Sequence, residues 1–238
     1  MEKSSHCVTC PSSEIGFCGA LLGKPSEQAA QFRKFDRQDH QMFRANESIV
    51  NPHDAFEYVY VLCDGWAFRF FQRPGGRRQI LRFLLPGDLF APLTVFEETP
   101  HFSVQALTDV RISRFDRTEV QARLSVVPAI LKVAINVCVG ETKDADELST
   151  ALGIGSAEER IAYLLCHLTS RLAAHNVIRD HRYRFPLRQK HIAEAVGLTT
   201  VHVSRVMSSF HERRLIRLSG GILEVLNPTE FERIGSFR

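Results

Sequence analysis

The sequence lacks any apolar run near the roughly 20 residues that a helix needs to cross a bilayer, although 44% of its 238 residues are hydrophobic. Its opening residues, Met1 to Cys7, have no apolar core, so no signal peptide is expected. Together these absences exclude a membrane-spanning chain and favour a globular protein of the cytoplasm.

The patterns that catalysis requires are also missing. There is no Gly-rich phosphate loop, no Ser, His and Asp set in a recognisable context, and no pair of catalytic carboxylates. We therefore expect that the protein is not an enzyme.

Acidic charge is scarce in the C-terminal part, where residues 155–238 carry 13 Lys and Arg against 8 Asp and Glu, while residues 1–154 carry 17 against 19. A basic end on a near-neutral chain suits a polyanionic partner.

The stretch from Leu187 to Ile216 predicts a helix-turn-helix. Ile192, Ala193 and Val196 share one helical face, Gly197 breaks that helix, and Thr199 is placed to cap a second one. The second helix buries a stripe of apolar side chains, which are Val203, Val206, Met207 and Phe210. An ordinary helical hairpin is the alternative interpretation.

The opposite face of the second helix predicts the DNA contacts. Arg205 is expected to read guanine through O6 and N7, whereas Arg188 and Lys190 are expected to contact phosphates. His202 could equally be a plain surface histidine. The remaining candidates for base contacts are Thr200, Val201 and Ser204. The run from Leu218 to Leu226 follows this helix and predicts a β-hairpin with Ser219-Gly220-Gly221 at its tip, which would form a wing. The wing region is also expected to contact phosphates.

The hydrophobic pattern of the sequence before the helix-turn-helix differs between two regions. Residues 23–120 show short alternating runs with Gly and Pro punctuation, and predict a β barrel or jelly roll. A strand is expected from Phe56 to Leu62, with turns at Cys63-Asp64-Gly65 and at Pro86-Gly87-Asp88. Residues 121–154 lose that signal and predict a long helix from about Pro128 to Leu148, followed by a hinge at 153–155. We expect this helix to form a dimer seam that includes Ile130 and Val137. Residues 155–238 form the predicted DNA-binding domain.

Residues 1–22 hold three of the six cysteines, Cys7, Cys10 and Cys18. Closely spaced thiolates ligate zinc or iron–sulfur clusters, but a fourth ligand must then come from elsewhere. The alternative is a tail whose cysteines are unconnected.

The order of cysteine segment, β domain, long helix and winged helix-turn-helix resembles the CRP–FNR superfamily of bacterial transcription regulators, and most closely its FNR/FixK class. The most specific matches are Leu85-Pro-Gly-Asp-Leu89, Ala157-Glu-Glu-Arg160 and the run from Gly197 to Arg205. The resemblance implies an α+β protein with an N-terminal β-roll like a cyclic-nucleotide-binding jelly roll, a long dimerisation helix, and a C-terminal winged helix-turn-helix. It further implies a homodimer that binds a palindromic operator and works with RNA polymerase, with a 4Fe-4S cluster as oxygen or redox sensor on Cys7, Cys10 and Cys18.

Three departures qualify what the resemblance implies. Phe102-Ser103 stands where cyclic-AMP-binding relatives have Arg-Ser, so we expect no cyclic-nucleotide binding. Ser113 stands where FNR-class relatives have their fourth cluster cysteine, which leaves a carboxylate, Cys63 or an exogenous ligand as the fourth ligand. Val201 replaces the usual Glu of the recognition helix, so the operator is expected to differ from the family consensus.

Other functions stay open at this point. The same fold without a cluster could respond to zinc, to no effector, or to heme with His53, His101 and Cys63 as candidate axial ligands. A cysteine-based redox or metal protein is a further alternative.

Overall fold

The computed structural model describes residues 16–22, 40–52, 54–55, 57–90, 95–96, 100–174 and 181–236. The strands in these ranges are β1 (His40–Phe43), β2 (Ser48–Val50), β3 (Tyr58–Asp64), β4 (Ala67–Gln72), β5 (Arg78–Leu84), β6 (Ser103–Ala106), β7 (Val110–Asp116), β8 (Arg182–Arg184), β9 (Ile216–Ser219) and β10 (Ile222–Val225). The helices are α1 (Gly16–Leu22), α2 (Arg117–Val126), α3 (Pro128–Ile154), α4 (Ala157–Ala174), α5 (Gln189–Val196), α6 (Thr200–Glu212) and α7 (Pro228–Gly235).

The predicted β domain is a roll of two sheets. One sheet has the order β1-β7-β3 and the other has the order β2-β6-β4-β5. Alternate residues of the two sheets face each other and build a core that contains Leu62, Phe90, Val104 and Ile112. Gly65 makes the turn between β3 and β4 with φ of +81°, and a Cβ there would lie 2.2 Å from the carbonyl oxygen of Asp109. The α+β class and the β-roll predicted from the sequence are confirmed.

The strand boundaries differ locally from the sequence prediction. Cys63 and Asp64, expected to form a turn, end strand β3 instead, and the pairing with β7 shifts register between Leu62 and Asp64. This irregularity lets the strand continue past the point where Asp64 and Gly65 signalled a turn. Phe56, where a strand was expected to begin, lies outside the described residues.

A second core lies on the outer face of the first sheet. Val59, Val61 and Phe115 project from β3 and β7 on this face. Helix α1 packs on them with Phe17, Cys18 and Leu21. Helices α2 and α3 close the cluster with Val120, Leu124, Ile130 and Ala134. The start of the long helix is therefore part of the protein's own core.

This packing corrects the prediction of the dimer seam. Ile130 is only 3% exposed, and Val137 packs against the same intramolecular cluster. The Ile130 side chain is therefore unavailable to a second subunit, and its choice as a seam residue was wrong. Val137 is half-buried, and its place in the seam stays a prediction. The exposed large apolar residues in the first half of the helix are instead Leu131, Ile135 and Val139, which are 37%, 51% and 62% exposed. They recur every four residues and form a stripe along one side of α3.

The chain divides into two compact units, of which the second contains residues 71–82 and 142–238. In this unit Ser156 and Glu159 start α4 with a capping box, because each backbone N–H bonds to the other residue's side chain. Strands β8, β10 and β9 form a small sheet in that order. The hairpin β9–β10 turns through Gly220 and Gly221, with φ of +58° and +72°, as the Gly-Gly pair predicted.

No single helix among the described residues is long and apolar enough to cross a membrane. Only α2 and α3 taken together, bent by 111° at Val127, reach the required length and composition.

Candidate functional site

The turn between α5 and α6 has the geometry that the sequence predicted. Gly197 ends α5 in the left-handed region with φ of +67°, and its N–H donates to the carbonyl of Ala193. Thr199 caps α6, since its Oγ1 accepts a hydrogen bond from the backbone N–H of His202 at 3.3 Å. Val196, Val203 and Phe210 are buried, so both helices are fixed to the domain by their apolar faces. The pair is a helix-turn-helix.

The other face of α6 is open to solvent. Thr200, Val201 and Arg205 are exposed, Val201 by 59%, and Ser204 is half-buried. Arg205 forms no ion pair with any described residue, so its guanidinium is available to an external acceptor. His202 is exposed, but its Nδ1 lies 3.2 Å from Thr199 Oγ1, which turns the ring toward the cap. Of the predicted base-contacting residues, Arg205 is thus the one whose charge is best presented.

Cations flank this face at several positions. Arg188 and Lys190 are exposed at the start of α5, where they were predicted to contact phosphates. Strand β8 adds the exposed Arg182 and Arg184, which the sequence reasoning missed. The alternation of these arginines with the buried Tyr183 and Phe185 is the signal that could have identified them. Four cations therefore lie close in sequence to the helix-turn-helix.

Two of the arginines that follow α6 already form ion pairs within the protein. Arg213 forms an ion pair with Glu158, and the Arg217 Nε donates to Glu224 Oε2 across the hairpin at 2.9 Å. Their positive charge is partly compensated within the protein. We therefore expect the wing to contribute less to phosphate binding than its sequence indicated.

The β4–β5 hairpin contacts helix α5 within the second compact unit. The Arg78 guanidinium donates to both carboxylate oxygens of Glu194, with the shortest distance 2.9 Å, and both side chains are largely buried. Gln79 Nε2 donates to the carbonyl oxygen of Ala195 at 2.8 Å. These bonds satisfy a carbonyl at the C-terminal end of α5 and hold the first helix of the motif.

A buried histidine supports the first turn of α5. His191 is 5% exposed, and its Nδ1 accepts a hydrogen bond from the Arg188 N–H at 3.1 Å. Burial, assisted by the positive charges of Lys190, Arg78 and Arg188, lowers the pKa of His191 from 6.5 to about 4. The imidazole is therefore neutral at pH 7 and able to accept this bond.

We expect His191 to make the domain sensitive to acid. Because its pKa is lower in the folded state, the unfolded chain takes up the proton first as the pH falls from 6.5 towards 4. The free energy of unfolding should fall by about 2–3 kcal/mol across this window. Denaturant unfolding at several pH values should give a shallower slope for His191→Asn than for wild type. His211 is exposed, so His211→Asn should leave this slope as in wild type. If His211→Asn flattened the slope as much as His191→Asn, the acid sensitivity would not come from His191.

Phe102, which stands where cyclic-AMP-binding relatives have arginine, is buried beside another arginine. The Phe102 ring is 4% exposed, and the Arg69 guanidinium carbon lies 5.3 Å from its centroid. Arg69 also donates to Glu141 on α3 at 3.1 Å and to the Phe90 carbonyl at 3.4 Å. An arginine that could otherwise meet a phosphate is thus already bonded to a carboxylate.

The candidate metal ligands are only partly within the described residues. Cys7, Cys10 and His53 lie outside them, while Cys18 is buried in α1. Among the residues that are described, no group of three or more His, Cys, Asp and Glu side chains is arranged to hold a metal ion. His101 is exposed with its ring edge-on to Phe102.

Ser113 lies beside a cysteine of the neighbouring strand. The Cys63 Sγ is 3.0 Å from the Ser113 Oγ, and that oxygen is 3.0 Å from His40 Nδ1. Cys63 thus stands next to the position where the fourth cluster cysteine of FNR-class relatives was expected. The pairing register of β3 and β7 brings Cys63 and Ser113 together, and their spacing along the chain did not predict this contact.

Comparison with known proteins agrees with this architecture. The cyclic nucleotide-binding domain model matches residues 40–125, and the Crp-like helix-turn-helix domain model matches residues 159–234. The nitrogen fixation regulation protein FixK of Azorhizobium caulinodans is 31% identical over 74% of this chain and 71% of its own. FixK of Bradyrhizobium diazoefficiens is 25% identical over 99% of this chain and 97% of its own.

The structure of FixK2 from Bradyrhizobium japonicum superimposes with a TM-score of 0.76 at 23% identity, covering 84% of this chain and 98% of that one. The two domain models together span more than half of the sequence. The chain therefore belongs to the CRP–FNR family of transcription regulators, in its FNR/FixK class.

Proposed function

We propose that the protein is a homodimer that binds a palindromic operator, with α6 of each subunit in the major groove. The exposed edge of α6 carries this proposal, because it presents Arg205, which no described residue pairs with, beside small polar side chains. Flanking cations, including Arg188 and Lys190, supply the contacts to phosphates. The half-sites are expected about 34 Å apart, one helical turn of DNA.

The exposed stripe on α3 supports the two-fold assembly. Leu131, Ile135 and Val139 leave apolar surface in water on a helix of 27 residues, and the other side of its first three turns packs in its own domain. A second copy of the same helix is the natural cover for such a stripe, because it presents a self-complementary apolar surface. The dimer would also place two recognition helices on one palindrome.

We further propose that an N-terminal iron–sulfur cluster makes the regulator responsive to oxygen or redox state. Cys7, Cys10 and Cys18 would hold it, and thiol donors are the chemistry that such a cluster needs. When bound, the cluster supplies a centre whose loss under oxygen carries the signal. Cys18 lies in α1, which packs on the β-roll and on Ile130 and Ala134 of α3. Movement of α1 would thus change the packing of the helix that forms the seam.

A regulator of the same fold with zinc, heme or no effector is the alternative to this sensor. The four-part division at residues 22, 120 and 154 stays a prediction. We expect the protein to act in the cytoplasm together with RNA polymerase, as the family does.

Arg205 offers the direct test of operator recognition. Arg205→Ala should lose roughly 1–3 kcal/mol of discrimination, because its guanidinium would no longer bond to a guanine. Binding to the cognate palindrome, measured by fluorescence anisotropy, should therefore weaken much more than binding to random DNA.

Lys190→Ala is the matched control for this measurement. A phosphate contact carries no sequence information, so this variant should weaken both complexes equally and lower the slope of log K against log salt by about 1. If Arg205→Ala behaves like Lys190→Ala, then Arg205 contacts only phosphate.

A further inference from the structure

Helix α6, which the structure describes in full, exposes one large apolar side chain among polar ones. Val201, Arg205 and Ser208 are exposed and follow one another at intervals of four and three residues, so they form one stripe along the helix. Val201 is 59% exposed, whereas Val203 and Phe210 on the other side of the helix are fully buried. The packing that fixes α6 to its domain therefore does not account for this valine.

Local helix stability does not account for Val201 either. It is the second residue of α6, directly after the turn that Thr199 caps. Valine is a weaker helix former than alanine, because its branched side chain is restricted to essentially one rotamer in a helix. The same restriction means that the side chain loses little further entropy when a partner covers it. A valine at this exposed position is thus suited to a contact rather than to the fold.

The place of Val201 in the motif limits what can cover it. The first turn of the second helix is the part of a helix-turn-helix that meets base edges in the major groove. Valine neither donates nor accepts a hydrogen bond, and the C5-methyl group of thymine is the one apolar group that the four bases present in that groove. Cytosine would instead place its N4 donor against the valine and lose a hydrogen bond to water. Val201 therefore favours thymine.

We propose that Val201 contacts the C5-methyl group of a thymine that lies within two base pairs of the guanine read by Arg205. The inference rests on the operator binding proposed above and specifies one base of each half-site. Four residues of a helix span about 6 Å along its axis. Successive base pairs are about 3.4 Å apart. Two side chains one helical turn apart therefore reach base pairs that are neighbours or next neighbours.

The test begins with the operator itself, selected by the full-length protein from a pool of duplexes with random half-sites. Each thymine of the selected palindrome is then replaced in both half-sites by deoxyuridine, which removes the methyl group and keeps the base pair. One replacement, within two base pairs of the guanine at which Arg205→Ala loses discrimination, should weaken binding about 15-fold. This factor follows because one buried methyl group is worth about fourfold in each half-site. Fluorescence anisotropy measures both affinities.

Val201→Ala identifies the side chain that contacts this methyl group. The variant lacks both Cγ atoms, so its affinities for the thymine and uracil operators should differ by less than about threefold, as coupling between the two methyl-bearing groups requires. It should still discriminate at the guanine that Arg205 reads. Ser208→Ala is the matched control, because Ser208 lies on the same exposed stripe and should leave the 15-fold ratio unchanged. Thermal unfolding checks that both variants fold as wild type does.

The outcomes separate this inference from the proposed operator binding. If uracil binds as well as thymine at every position, the operator stands and the methyl contact does not exist. If Val201→Ala keeps the full 15-fold ratio, another side chain contacts the methyl group, and the inference is wrong. A selected half-site with no thymine within two base pairs of that guanine overturns it as well. If no sequence is enriched from the pool, operator binding itself fails and the role of Val201 fails with it.

Discussion

Ile135→Glu should convert the proposed dimer to a monomer. The substitution places a carboxylate in the middle of the exposed stripe, opposite its copy in a two-fold pair, and like charges in an apolar seam are strongly disfavoured. Each subunit would then hold one half-site alone, so binding to the palindrome should weaken by about 10²–10⁴-fold. Sedimentation of the free protein and titration of the full operator measure the two effects.

Ala129→Glu is the control that α3 itself offers. Ala129 is exposed and lies about 120° around the helix from Ile135, so it adds the same charge outside the stripe. This variant should remain dimeric and bind the operator normally. A wild-type protein that sediments as a monomer on its operator would contradict the proposed assembly altogether.

The sequence could not show which side of α3 is available for the proposed seam. The first half of α3 carries apolar residues around most of its circumference, including Val133, Ile135, Val137 and Val139. Periodicity therefore identified the helix but could not tell which apolar side meets its own β-roll. Only the placement of α1 and of strands β3 and β7 shows that Ile130 belongs to the core.

The DNA-binding motif was predictable because its signals are local. Gly197 in the left-handed region, the Thr199 cap and the Gly220–Gly221 turn each follow from backbone preferences of one or two residues. Pairing over long sequence distances was not predictable by the same route. The contact between Cys63 and Ser113 spans 50 residues, and the neutralisation of Arg213 by Glu158 spans 55.

The link between Arg69 and Glu141 is one such long-range pair, and breaking it should destabilise the protein. Their exposed fractions are 17% and 14%, and the Nε of Arg69 is already buried without a hydrogen-bond partner among the described residues. Glu141→Leu would leave the guanidinium over Phe102 without its carboxylate. The free energy of unfolding should fall by about 3 kcal/mol, because an uncompensated charge stays buried.

Adding Arg69→Met to Glu141→Leu tests whether the unpaired charge of Arg69 causes the loss of stability. The double variant Arg69→Met, Glu141→Leu removes both charges and should recover most of the lost stability, since an apolar pair of similar volume often replaces a buried ion pair without loss. Lys143→Leu breaks the exposed pair with Glu147 on the same helix and should cost less than about 0.5 kcal/mol. A double variant no more stable than Glu141→Leu alone would show that the unpaired guanidinium is not what destabilises the fold.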